Sequence, residues 1–344
     1  MTDAQVQPFQ RVTIVGAGAI GGWLGVHLAQ AGCNVSALAR GETLAALRQH
    51  GLRLHQGGEL RQLPVNAAGS AAELGAQDLV VIAVKAPSLA SVAATIGPLI
   101  GPDTVVLTAM NGVPWWFFEG FGGALAGTPL QAVDPDGSIA QAIPGRHVIG
   151  GVVHVSCSVD APGEIRHHFG NGLILGEPSG QSSERLTALV ALLQRSGIAA
   201  TASQQIQKDV WYKLWGNMTV NPVSALTGAT TDRILGDPLV RDFISAVMLE
   251  ARAIGERIGI PIDQQPEDRH AVTLKLGAFK TSMLQDVEGR RPVELDALVS
   301  AVRELGQLTG VATPFTDALL GLSRLQAQTL GLYPVEVPAA ARQG

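Results

Sequence analysis

The sequence predicts an α/β protein, in which an N-terminal doubly wound parallel sheet is followed by an all-α C-terminal domain. Three observations predict it. A β-branched run ending in glycine leads straight into a helix-compatible segment and a second β-rich run, a βαβ unit within about thirty residues. Further continuous apolar runs then alternate with helix-compatible stretches, as strands buried on both faces of a parallel sheet do. From Ser203 onward the strand texture stops and apolar residues recur every three to four positions. The length of 344 residues, at roughly 150 per domain, fits two domains. We place them at 1–203 and 204–344.

The elements follow in order. Residues 11–16 (RVTIVG) read as a buried strand. Ile20, Leu24 and Leu28 share one face of the next helix, which Gly32 closes, and residues 34–39 (NVSALA) form the second strand. Residues 78–84 and 104–108 are buried strands on either side of a helix-compatible stretch at 87–99. After Gly145 the runs 148–158, 164–169 and 173–176 are short and glycine-punctuated, an antiparallel or mixed completion of the same sheet. The helical half comprises 204–216, 239–258, 267–285, 293–309 and 316–330.

Composition narrows the function. The formal net charge is -5 and no Lys/Arg cluster stands out, which disfavours nucleic-acid binding because phosphate contacts need concentrated positive charge. The two cysteines, Cys33 and Cys157, are far apart and make neither a disulfide framework nor a zinc motif. The histidines, His167 and His168 included, lack ligand spacing, so no metal is expected. The first ten residues are polar, and no run offers the roughly 20 apolar residues of a membrane span. A cytoplasmic, soluble protein is the expectation.

Gly16-Ala17-Gly18-Ala19-Ile20-Gly21 matches GxGxxG in the context that gives the pattern meaning, after a strand and at the head of a helix. The first glycine permits the turn, the second lets a pyrophosphate approach the backbone, and the third lets helix and strand pack closely. A tight βα turn without a ligand is the bland alternative. Where the second strand ends, a carboxylate would bind a ribose 2′-hydroxyl, but this strand ends in Arg40. A guanidinium suits a 2′-phosphate, so NADPH/NADP+ is favoured over NADH, unless Arg40 is only a solvated surface residue. Lys85 follows an apolar strand at the ligand-facing edge of the sheet, or simply snorkels from its end.

In the second half, Lys213, Asn217 and Asn221 stand at i, i+4 and i+8, on one face of a helix if it runs through to Pro222. That stripe is either a polar site or the wet side of an amphipathic helix. Asparagine is a poor helix former, which tilts the reading toward function. Ser282 and Glu294 belong to a segment that reads as two helices joined by a charged turn. Glu294 near the second helix start equally suits the helix dipole.

Taken together, the GxGAIGG turn at 16–22, Arg40, Lys85, Asn111-Gly112, the KLxxNxxxNP run at 213–222 and SMLQD…E from Ser282 to Glu294 resemble the ketopantoate reductase (2-dehydropantoate 2-reductase) family over essentially the whole length. The resemblance implies a Rossmann-type N-terminal domain, a helical C-terminal domain, an active site in the cleft between them, and NADPH-dependent reduction of a 2-oxo acid to a 2-hydroxy acid in pantothenate biosynthesis. It implies that Lys213 is the general acid and that Glu294 orients lysine and substrate. Asn217, Asn221 and Ser282 would hold the substrate's hydroxyl and carboxylate oxygens, and Asn111 would serve both substrate and cofactor. Gly16, Gly18, Ala19, Ile20, Gly21, Arg40 and Lys85 would hold the cofactor. The small-molecule substrate would be the main partner, with a homodimer through the helical domain as a further one.

One departure stands beside Asn111. Met110 replaces a glutamine that family members often carry, and Trp115-Trp116-Phe117-Phe118 follows. This cluster reads as a lid, a larger pocket for a bulkier 2-oxo acid, or plain packing against the second domain. All five tryptophans lie in or beside segments assigned to the site, so the sequence expectation is that the rings border it. Two alternatives to ketopantoate reduction remain at this point: a paralogous reductase of a bulkier 2-oxo acid, and a non-catalytic NADP-binding sensor.

Overall fold

Apolar β-branched runs become strands where the sequence marks them, and they join one ten-stranded mixed sheet in a computed structural model that describes residues 8–335. The strands are β1 (Arg11–Val15), β2 (Asn34–Leu38), β3 (Leu52–Gln56), β4 (Glu59–Leu63), β5 (Asn66–Ala68), β6 (Leu79–Ile82), β7 (Val105–Thr108), β8 (Val148–Ala161), β9 (Glu164–Gly176) and β10 (Ala199–Ala202). Six neighbours, β5-β2-β1-β6-β7-β8, are parallel. The direction of winding reverses at β1, the topological switch point where an open α/β sheet receives its ligand. Every residue of β6 and β7 is buried, as strands covered on both faces require.

Helices α1 (Ala19–Gln30), α2 (Gly41–His50), α3 (Leu89–Ile96), α4 (Ser138–Ala142) and α5 (Glu184–Arg195) belong to the same unit. Glycines bring α1 close to the sheet: a Cβ on Gly22 would stand 2.3 Å from Ile165, and one on Gly25 would stand 2.7 Å from Leu52. Leu24 and Leu28 are fully buried, and each such side chain contributes roughly 1.5–3 kcal/mol.

The sequence reading is refined in two places here. The runs at 164–169 and 173–176 are one strand, β9, which pairs antiparallel with β8 across three register shifts. Residues 41–77, which carry no strand expectation, supply β3, β4 and β5. The β3–β4 hairpin turns on Gly57 and Gly58, both at positive φ, as a two-residue primed turn needs. Its outer strand, ELRQL, has no apolar alternation to announce it.

The second unit is Leu130–Val133 with the described chain from Trp211 on, and the division falls inside helix α6 (Ile206–Thr227). Helices α7 (Thr231–Gly236), α8 (Pro238–Arg257), α9 (Pro266–Leu274), α10 (Ser282–Glu288), α11 (Ala301–Thr309) and α12 (Pro314–Thr329) complete it. Trp211 and Trp215 are buried in its core, where the Trp215 indole N–H donates to the Met248 carbonyl at 2.7 Å. The span 267–285, expected as one helix, is two. The chain leaves α9 after Leu274, passes Gly277 at φ 63, and starts α10 with the Thr281 hydroxyl accepting from the Leu284 N–H. A π-helical turn over Asp296–Ser300 precedes α11. No described helix is long and apolar enough to cross a membrane.

Candidate active site

Each glycine of the βα turn has its own physical reason. Gly16 sits at φ +94, a left-handed conformation, and a Cβ there would meet Val84 at 2.7 Å. At Gly21 a Cβ would lie 2.0 Å from the Gly16 carbonyl oxygen, so helix and turn can approach only without a side chain. Gly18 differs from both, because a Cβ there would have nothing within 4 Å. Its backbone faces open space and caps α1 without any side-chain hydrogen bond. A pyrophosphate would have room to approach there, at the positive end of a helix whose first turn carries no acid.

The turn opens on a cavity of about 540 Å³ walled by Val15–Gly18, Leu38–Arg40, Thr43, Val84, Pro87, Ser88 and the α3 residues Ser91, Val92 and Thr95. Arg40 is exposed on this wall, at the N-cap of α2, without an ion pair among the described residues. Ala19, Ile20 and Gly21 begin α1 behind the turn. Lys85 and Asn111 follow the carboxyl ends of β6 and β7, whose last residues Ile82 and Thr108 are in register. The sequence reading missed Ser88, Ser91 and Thr95, which share a face of α3 by their spacing. It also missed Val159, Pro162 and Gly163, which bring the β8–β9 turn to the cavity rim.

The second unit carries a different kind of site. Helix α6 does continue through Pro222, so Lys213, Asn217 and Asn221 do share a face. Asn221 is buried, while Lys213 and Asn217 are partly buried. Burial lowers the Lys213 ammonium to a pKa of about 8; the Glu294 carboxylate pulls it back up and the Arg269 guanidinium pushes it further down. Glu294 is itself buried, just before the π-helical turn. The loop leading to it is clamped: buried Asp286 accepts from Arg291 Nε at 3.0 Å, and its carbonyl accepts from the Arg291 N–H at 2.8 Å. Ser282 is exposed in the first turn of α10.

All five tryptophans are buried. Trp115 donates to the Ile143 carbonyl at 3.2 Å, and Trp116 fills the space left by Gly150 on β8. Phe117 and Phe118 pack edge to face with centroids 5.3 Å apart. The cluster is packing, but within the first unit. Burial is what the sequence could not display here.

One group among the described residues has metal-ligand proximity: His55, Asp160 and Glu164. Its carboxylates already meet cations, Glu164 with Arg53 at 2.6 Å and Asp160 with Arg166.

The glycine turn between β1 and α1 is of the kind that dinucleotide-dependent oxidoreductases use. The family follows from comparison with known proteins. The family model for "Ketopantoate reductase PanE/ApbA" matches residues 12–180, and that for "Ketopantoate reductase PanE/ApbA C terminal" matches residues 205–327. The chain belongs to the ketopantoate reductase family. It is 50% identical to a 2-dehydropantoate 2-reductase of Mesorhizobium japonicum, over 94% of this chain and 99% of that one. A crystal structure of a Ralstonia solanacearum MolK2 protein, provisionally named a ketopantoate reductase, aligns with a TM-score of 0.92 at 61% identity, covering 94% of this chain and all of that one. A 2-dehydropantoate 2-reductase from Methylococcus capsulatus aligns with a TM-score of 0.79 at 29% identity, covering 93% of this chain and 97% of that one.

Proposed function

We propose that this chain reduces 2-dehydropantoate to pantoate with NADPH, a step of pantothenate biosynthesis, and that Lys213 is the general acid. The observation that carries the reading is the Lys213 ammonium, partly buried, lowered to about 8 and opposed by Glu294 on a face that also bears Asn217 and Asn221.

The cofactor fits its cradle by the glycine geometry: Gly18 leaves the backbone open, Gly16 and Gly21 tolerate no side chain, and Arg40 offers a guanidinium to a 2′-phosphate. When bound, the nicotinamide supplies a hydride to the ketone carbon. The chain does the rest. Negative charge grows on the carbonyl oxygen; the Lys213 ammonium stabilises it and delivers the proton from Nζ. A lysine near pKa 8 is still mostly protonated at pH 7 yet gives up its proton more readily than one near 10.5. Glu294 holds the ammonium in position and limits the fall in its proton affinity. Asn217 and Asn221 orient substrate oxygens with neutral donors, which compete for no proton. Ser282, Asn111 and Lys85 complete the substrate and cofactor contacts. Exposed Leu322 and Leu325 on α12 support a homodimer through the helical unit.

The test is a panel of 2-oxo acids, 2-dehydropantoate among them, assayed with NADPH and with NADH. We expect 2-dehydropantoate to be the best substrate, and Arg40→Gln to lower the preference for NADPH by about 10- to 100-fold, the worth of a charged hydrogen bond or two. No turnover of 2-dehydropantoate, or equal use of both cofactors by the unaltered protein, would refute the respective half of the reading.

A further inference from the structure

A carboxylate acts on a neighbouring ammonium according to its nearness, so whatever holds the carboxylate's backbone also acts on the proton donor. Glu294 stands in irregular chain, residues 291–294, between α10 and the π-helical turn. We propose that Arg291 is the positioning residue for Glu294: its guanidinium ties the chain to the end of α10 three residues before the carboxylate and so fixes that carboxylate against Lys213. This rests on the functional reading above and deepens it, because Arg291 would act through Glu294 alone.

Arg291 folds back over α10. Its Nε donates to the Asp286 carboxylate at 3.0 Å, its Nη2 donates to the Gln285 carbonyl at 2.9 Å, and its backbone N–H donates to the Asp286 carbonyl at 2.8 Å. One residue is thus held to one helix end through side chain and main chain alike. Asp286 is 1% exposed and Arg291 is exposed, so the tether fastens a surface residue to a buried one. The backbone is strained to make this return: Arg290 has φ 53, alone among the described non-glycine residues in being positive. Gly289 makes room, since a Cβ there would stand 2.3 Å from Arg291 Nη1 and 2.8 Å from Cζ. The glycine lies beneath the guanidinium while the left-handed conformation falls on its neighbour. An ordinary helix ending does the reverse and gives the left-handed position to glycine.

Beyond Arg291 the path to the site is short and stiff. Pro292 has a fixed φ, and Val293 is buried with its N–H donating to the Leu332 carbonyl at 3.2 Å. Buried Glu294 follows. A displacement at Arg291 is passed along this segment rather than absorbed by it. At Lys213 the Glu294 carboxylate raises the proton affinity, and the Arg269 guanidinium, hydrogen-bonded to Tyr212 and seated on Gly216, lowers it. Loosening Glu294 therefore leaves Arg269 and burial less opposed, and Lys213 should give up its proton at lower pH. Loss of the Arg291 charge by itself, if felt at Lys213, would act in the opposite sense. The direction of the change separates position from charge.

The experiment reads kcat against pH with 2-dehydropantoate and NADPH for the unaltered enzyme, Arg291→Gln, Arg291→Lys, Glu294→Gln and the double variant Arg291→Gln with Glu294→Gln. We expect Arg291→Gln to lower kcat by about tenfold and to move the alkaline limb to lower pH, with NADPH affinity unchanged in a direct titration. Arg291→Lys should recover part of both changes, because an ammonium can reach Asp286 but lacks the planar fork. In the Glu294→Gln background, Arg291→Gln should cost less than about threefold further, as residues acting as one unit do. Lys280→Ala, which breaks the exposed Lys280–Glu288 pair beside the same helix, should change none of these. A limb that stays in place or moves to higher pH, independent losses in the double variant, or a like change in Lys280→Ala would overturn the proposal. Should Arg291→Gln not fold, Arg291→Lys is read in its place. The Lys213 titration can also be followed without turnover, by NMR of isotope-labelled lysine with Lys213→Ala assigning the signal. If the unaltered protein reduces no 2-oxo acid, the functional reading falls and this titration decides Arg291: a lower Lys213 midpoint in Arg291→Gln supports it and an unchanged one refutes it.

Discussion

The two units carry their candidate sites in opposite ways. In the first, the candidate nucleotide cavity is shaped by what is missing: Gly16, Gly18 and Gly21 give backbone that no side chain obstructs. In the second, the candidate site is made of what is present, an ammonium, a carboxylate and two amides carried by α6 and by Glu294, two residues before the π-helical turn. A backbone site is broken by adding atoms and a side-chain site by removing them. Damage to the first should appear in cofactor affinity, and damage to the second in turnover.

The largest effect tests the second unit. Lys213→Ala should cut kcat by about 10²- to 10⁴-fold, the usual worth of a positioned proton donor, with NADPH affinity unchanged in a direct titration. Loss of cofactor binding in that variant would erase the contrast. The glycines sharpen the other side. Gly21→Ala forces a Cβ to within 2.0 Å of a backbone carbonyl and should lower both Tm and NADPH affinity, whereas Gly18→Ala has room in the free protein and should lower NADPH affinity alone. A fall in Tm for Gly18→Ala would show that its open side is structural.

The smallest effect is in pH dependence. A general acid works while protonated, so kcat should fall as pH rises through about 8, the Lys213 value. Glu294→Gln removes the charge that raises this value and should move the limb to lower pH, and Arg269→Gln should move it to higher pH. A limb that ignores both substitutions would mean that Lys213 is not the titrating group.

Legibility in the sequence follows the same division. The glycine turn is a local device, and its spacing, strand and helix are all within a few residues of one another. The α6 stripe is local too, because a period of four survives in the sequence whatever packs around it. Ser282 and Glu294 are different. Their spacing reads equally well as a turn between helices, and only the family resemblance singles them out. Arg269 leaves no sequence signal, because its setting depends on Tyr212 and Gly216, more than fifty residues away. The expected single helix over 267–285 failed at Gly277, where apolar periodicity continues past a positive φ. The burial of all five tryptophans is equally absent from the sequence, because proximity in sequence to a motif says nothing about which way a ring points.

The β8–β9 hairpin has a consequence of its own. At ~3.3 Å per residue its 14-residue first strand is about 45 Å long, reaching from the parallel core beside β7 to the rim of the nucleotide cavity at Val159, Pro162 and Gly163. That rim comes from a turn whose residues carry neither the glycine cradle nor the helical unit's chemistry. Side chains at Val159 and Pro162 can therefore vary while the glycine turn at 16–21 is untouched, whereas Gly163, at φ +70 with its carbonyl accepting from the Arg53 N–H, is held by the sheet.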